Sequence, residues 1–197
     1  MTDTIDTLLR TGADAATALV APGRAPLTYG ALRALVAATV RSLNAAGAGR
    51  NDRVAIVLDN GPEMAACFLA CAAGTTSAPL NPGYRADEFE FYLSDLHARL
   101  LVVERGSASP AVAVAEKLGV RIVDLVVDDG MAAGDFRLEP RDAAAPHPSP
   151  LPASGEREYS GPADIAMVLH TSGTTSRPKI VPLSVANLCA SAQNIRT

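Results

Sequence analysis

Five short apolar runs constrain this chain more than any other feature: "RVAIVLDN" (53–60), "TSAPL" (76–80), "RLLVVE" (99–104), "RIVDLVV" (121–127) and "DIAMVLH" (164–170). None shows the strict polar–apolar alternation of a strand with one wet face, so they read as strands covered on both sides. Helical patterns separate the first four, in the stretches 62–73, 86–96 and 111–119. Strand and helix in alternation imply parallel pairing with right-handed crossovers. The expected fold is therefore α/β: a largely parallel, doubly wound sheet with helices on both faces. No sequence repeat accompanies the alternation, which disfavours a solenoid.

Local punctuation sets the boundaries. Thr28 is placed to cap a helix whose apolar positions Leu32, Leu35, Val36, Val40 and Leu43 recur at helical spacing, and Gly47 ends it. Asn60-Gly61-Pro62 makes a turn with proline at the start of the next helix, which runs to about Ala73 with Gly74 expected just past its end. From Asp128 to Gly161 the pattern is lost, and "AAAPHPSPLPASGERE" reads as a Pro- and Ala-rich surface loop or linker in which His147 is solvated. After "DIAMVLH", "IVPLSVANLCASAQNI" predicts a short strand and a helix capped by Ser184. The expected division is thus an α/β subdomain over 1–127, a loop over 128–161, and a strand, loop and helix over 162–197.

Composition narrows the function classes. At 197 residues and 48% hydrophobic, the chain can bury one sizeable core. Its 17 basic and 21 acidic residues are interleaved, which gives no basic surface for nucleic acid. "MTDTIDTLLR" carries aspartates where a secretion signal carries positive charge, and the longest apolar run, Met64 to Ala73, is far below the roughly 20 residues a membrane span needs. Three cysteines are too few for a disulfide framework, so a reducing compartment, the cytoplasm, is expected. Cys67 and Cys71 share a helix face but have no neighbouring ligand cluster, and read as small buried hydrophobes rather than metal ligands.

The chemistry is concentrated in "LHTSGTTSRPK" (169–179). Polyphosphates need many donors and some positive charge, and a loop leaving the carboxyl end of a strand supplies both through backbone N–H groups and short hydroxyls. Thr171, Ser172, Thr174, Thr175 and Ser176 surround Gly173, which permits close approach of a ligand, while Arg177 and Lys179 add charge with no acid between His170 and Thr197. A Walker loop is excluded: counted from Gly173, its second glycine falls on Pro178 and its Ser or Thr on Ile180. An ordinary Ser/Thr-rich turn between two strands is the bland alternative. His170, Tyr84 and Arg85 read as packed or structural residues.

"TSGTTSRPK" resembles the phosphate-binding signature of the adenylate-forming enzymes, the superfamily of acyl-CoA synthetases, luciferases and peptide-synthetase adenylation domains, whose usual form is TSGTTGxPKG. Thr171, Ser172, Gly173, Thr174, Thr175, Pro178 and Lys179 match; Ser176 and Ile180 stand where many members have glycine. "LTYGAL" (27–32) is similar to the family's LTYxEL element, and "FLACAAGTTSAPLNPGYRADEFEFYLSD" (68–95) to its helix, strand and NP turn, in the same order. The run "HTSGTTSRPK", "VPLS" and "NLCASAQNI" is most similar to the branch of oxalate-CoA ligases and related peroxisomal-type CoA synthetases. Val185 stands where many relatives have His, so that contact is not carried over.

The resemblance implies an incomplete N-terminal domain of the adenylate-forming fold. It also implies an activity: a carboxylate attacks the α-phosphate of ATP, releasing pyrophosphate, and the acyl group passes from AMP to the thiol of CoA. Thr171, Ser172, Gly173, Thr174, Thr175 and Ser176 would grip the phosphates of Mg-ATP, with Arg177 and Lys179 adding charge. Family members are generally more than twice this length, and the adenine site, the magnesium-associated Glu, the acyl pocket and the catalytic Lys fall beyond Thr197. The chain is expected to be a truncated product or a piece of a longer enzyme, not competent alone unless a complementing chain supplies the rest. The alternatives are a non-catalytic nucleotide-binding fragment and a fragment of an amino-acid-adenylating domain.

Overall fold

A computed structural model describes residues 3–142, 159–171 and 178–195. In chain order the elements are α1 (Ile5–Leu9), β1 (Thr17–Leu19), β2 (Leu27–Thr28), α2 (Tyr29–Ala45), β3 (Arg53–Val57), α3 (Pro62–Gly74), β4 (Thr76–Pro79), α4 (Ala86–Asp95), β5 (Leu100–Glu104), α5 (Pro110–Leu118), β6 (Arg121–Val126), β7 (Arg137–Pro140), β8 (Ile165–Thr171), β9 (Lys179–Ser184) and α6 (Val185–Ile195). Strands β1 and β2 form a small antiparallel pair. The other seven make one sheet in the order β7-β6-β5-β3-β4-β8-β9. Its five inner strands run parallel, and both outer strands are antiparallel to their neighbours.

The apolar runs explain the layering. Successive side chains of a strand point to opposite faces, and Val54 and Ile56 enter one core with α1, α2, α3 and α6 while Ala55 and Val57 enter a second with α4 and α5. Leu100 and Val102 against Leu101 and Val103 repeat the division in β5. The chain steps from β3 to β4 in one direction and from β4 across β3 to β5 in the other, so right-handed crossovers put α3 and α4 on opposite faces.

Caps fall where the sequence places them. The Thr28 hydroxyl accepts from the Ala31 N–H, and all five apolar positions of α2 are buried. Pro62 opens α3, and Ser184 Oγ accepts from the Asn187 N–H at the start of α6. One end differs. Gly74 is the last residue of α3 rather than the residue beyond it, and Thr75 closes the helix by donating its hydroxyl to the Cys71 carbonyl at 2.8 Å. Glycine is not needed there, because the chain passes directly into extended backbone.

The expectation of a patternless stretch over 128–161 is corrected by β7. Arg137–Pro140 pairs with β6, burying Leu138 while Phe136 just before it is also buried and Arg137 faces out. The remainder of the Pro- and Ala-rich loop, residues 143–158 with His147, lies outside the described residues. Strands β8 and β9 complete the same sheet rather than starting another.

Three features position the end of β8. The Asp164 carboxylate accepts from Arg50 Nε (2.7 Å), Asn51 Nδ2 (3.0 Å) and the Gly161 N–H (2.6 Å), while Asn51 Oδ1 accepts from the Ile165 N–H (2.9 Å), so the starts of β3 and β8 are tied together. The carbonyls of Pro162 and Asp164 accept from the first N–H groups of α6. Finally, the β8–β9 register shifts between Ile165 and Met167, leaving Ala166 as an extra residue on β8.

Candidate phosphate-binding site

Thr171 is the last residue of β8 and Lys179 the first of β9, and the two are register partners beyond the pairs Leu169↔Val181 and His170↔Ile180. Cα atoms of paired antiparallel residues lie about 5 Å apart, so the signature segment is bounded by two fixed ends. Both Thr171 and Lys179 are exposed, and Pro178 before Lys179 is half-buried. Ser172, Gly173, Thr174, Thr175, Ser176 and Arg177 lie outside the described residues. Of the expected phosphate ligands, the structure therefore places Thr171 and Lys179 and brings them side by side.

The carboxyl end of β8 shares its edge of the sheet with those of β3, β4, β5 and β6. Ligands of open α/β sheets bind at that edge. Two places on it can be compared. At the β3/β5 switch point a cleft of about 240 Å³ has Leu58 and Leu125 in its lining and Asp59, Glu63 and Glu104 among its polar groups. Its arginine, Arg24, already donates to Glu63 and to the carbonyls of Met131 and Ala132. Those carboxylates repel a polyphosphate. The end of β8 lies two strand spacings or about 10 Å from β3; Lys179 there has no carboxylate partner among the described residues, no acid follows His170 in the sequence, and the neighbouring Asp95 carboxylate is engaged by His170.

His170 itself is packed and hydrogen-bonded, as the sequence reading expected. Its Nε2 lies 3.0 Å from Asp95 Oδ2 at the end of α4, and its side chain is 7% exposed. Its ring meets Tyr92 edge-on at 4.7 Å, and Tyr92 stacks on Tyr84 at 4.8 Å. Hydrogen bonding to Tyr92, with burial second, pushes the Tyr84 phenol up to about 12. Arg85 occupies the N-cap position of α4, so both residues after the NP turn are structural. Sequence reasoning missed Asp95, whose only signal is its place at the helix end, where a carboxylate opposes the helix dipole.

With this geometry in place, the comparisons identify the class. A family model described as "AMP-binding enzyme" matches residues 10–197, and the chain belongs to that family. Among curated relatives, a probable CoA ligase, CCL9, of Humulus lupulus is 39% identical over 183 residues, covering 91% of this chain and 33% of that protein. An oxalate-CoA ligase of Arabidopsis thaliana is 39% identical over 181 residues, covering 91% of this chain and 34% of the relative. The chain thus spans about a third of the length of the curated relatives it matches. Apo MatB from Rhodopseudomonas palustris shares the fold with a TM-score of 0.72 at 24% identity, over 99% of this chain and 37% of MatB. No described helix is long and apolar enough to cross a membrane.

Proposed function

We propose that this chain is the phosphate-loop-bearing N-terminal part of an ATP-dependent acid-CoA ligase, which activates a carboxylate as its acyl-adenylate and passes it to CoA. The observation that carries the reading is the Thr171↔Lys179 pair, which roots the hydroxyl-rich segment at the ligand-binding edge of a parallel sheet, beside a lysine that has no carboxylate partner among the described residues. The phosphates of Mg-ATP fit there and not in the acidic cleft at the switch point. Thr171, Ser172, Gly173, Thr174, Thr175 and Ser176 supply backbone and hydroxyl donors, and Arg177 and Lys179 stabilise charge on the leaving pyrophosphate. In this reading 1–127 is the α/β subdomain, 128–161 the connection, and 162–197 the start of the rest of the AMP-binding domain. Relatives named for oxalate make a short dicarboxylate the first acid to try.

The test is calorimetric titration of Mg-ATP into the full chain and into Lys179→Ala. Loss of a charge-assisted contact to phosphate should weaken binding about tenfold or more. The exposed position of Lys179 should keep the stability change within about 0.5 kcal/mol. A folded wild type that binds no ATP at millimolar concentration overturns the reading. Because the chain spans a third of its relatives' length, we also expect no carboxylate-dependent exchange of pyrophosphate into ATP by the chain alone; exchange with oxalate would refute that part.

A further inference from the structure

We propose that His170 is a positioning residue: through its hydrogen bond to Asp95 it fixes the carboxyl end of β8 against α4, and so sets the path by which the chain leaves Thr171 toward the phosphate segment. The link to phosphate rests on the ATP-binding reading above; the latch itself does not.

The end of β8 is held by the sheet on one side only. Its pairing with β4 consists of the single register pair Ser77↔Met167, so beyond Met167 its sheet partner is β9, the outermost strand. Leu169 is 37% exposed and Thr171 is exposed as well. Between them His170 turns its side chain to the α4 face and is almost wholly covered there. The imidazole meets a partner already fixed in place: Tyr92 is held between Tyr84 and the His170 ring, and Tyr84 in turn meets buried Phe89 edge-on at 5.8 Å. Asp95 stands on the last residue of α4, where its charge does nothing for the helix but is well placed for a donor on the neighbouring strand. A covered imidazole bonded to a carboxylate, packed on a ring and adjacent to a ligand-binding backbone, is the arrangement that pre-organises such a backbone.

Three variants of the full chain separate the latch from mere packing. His170→Phe keeps a ring on Tyr92 but loses the hydrogen bond. His170→Gln restores a donor near the position of Nε2. Asp95→Ala removes the acceptor from a side chain that is 40% exposed, so this variant folds even if the buried substitution does not. Backbone amide exchange is measured over residues 168–171 and 179–181, and Mg-ATP affinity by calorimetry. Loss of a charge-assisted bond predicts roughly tenfold faster exchange over those residues in His170→Phe and Asp95→Ala, with ATP affinity falling by a similar factor. In His170→Gln both should return to within about threefold of wild type. Unchanged local exchange in Asp95→Ala, or equal defects in His170→Gln and His170→Phe, overturns the latch. Faster exchange with undiminished ATP affinity overturns its role in positioning. If wild type binds no ATP, the function reading fails, and the exchange data still decide the latch.

Discussion

Asp164 shows how one side chain can align two distant strands. Burial alone would raise its carboxyl, but hydrogen bonds from Arg50, the Gly161 N–H and Asn51 outweigh it and hold the group below the ordinary carboxylate range. A carboxylate depressed on folding contributes stability that is present above its unfolded value, near 3.9, and lost as pH falls through the lower folded value. Asp164→Asn should therefore cost about 1–3 kcal/mol at pH 7. In urea melts across pH, the gap between variant and wild type should close below about pH 4. A gap independent of pH would mean that packing, not charge, holds the turn. None of this was legible beforehand, because Arg50 and Asp164 are 114 positions apart and each reads locally as an ordinary loop residue. The phosphate signature, by contrast, was legible because all its parts are contiguous.

At the scale of elements, the sequence announced the strands buried on both sides and the edge strand β9, but concealed the opposite edge, β7. The five apolar runs all became strands of one sheet. Strand β7 was hidden because a half-buried edge strand of four residues offers only Leu138 inward between two charged residues, too short a period-two signal to stand out. The same brevity hid α1 and the β1–β2 pair. The connection from β6 to β7 nevertheless has a firm constraint. Gly134 has φ +83°, its N–H donates to Glu63 at 3.0 Å, and an added Cβ would lie 2.7 Å from Leu19 Cδ1 and 2.9 Å from the Pro62 carbonyl oxygen. Backbone strain and overpacking together should make Gly134→Ala lose about 2–4 kcal/mol. Chemical denaturation would measure it, and a loss under about 1 kcal/mol would show that the connection can shift.

For the molecule as a whole, the three thiols report on the integrity of the core that joins its two ends. Cys67 and Cys71 are fully covered and Cys189 nearly so, all in the core shared by α1, α3 and α6. The hydrogen bond to Cys67, then burial, pushes the Cys71 thiol well above its usual range, and burial raises Cys189. Native protein at pH 8 should react with a thiol reagent only on opening. In rising urea the labelled fraction should follow the helical circular dichroism through one transition. Fast labelling of the folded chain would show that this core does not pack independently. The burial of Cys67 and Cys71 could be read from helical spacing, whereas the docking of α1 beside α6 joins opposite ends of the sequence and could not.

The extra residue at Ala166 has a consequence that reaches to the end of its strand. Ala166 enters the core beneath α2 and α3, yet Val168, two positions on, enters the core beneath α4 and α5. The additional residue inverts the phase of every side chain downstream, and it is this inversion that turns His170 toward Asp95 and Thr171 away. Deleting one residue between 165 and 167 would leave composition and strand length almost untouched. It would nevertheless exchange the two sides of the strand's end, facing imidazole and hydroxyl each into the other's surroundings. The facing of the residues that lead into the proposed nucleotide site is thus set five residues upstream of Thr171, at a wholly buried position.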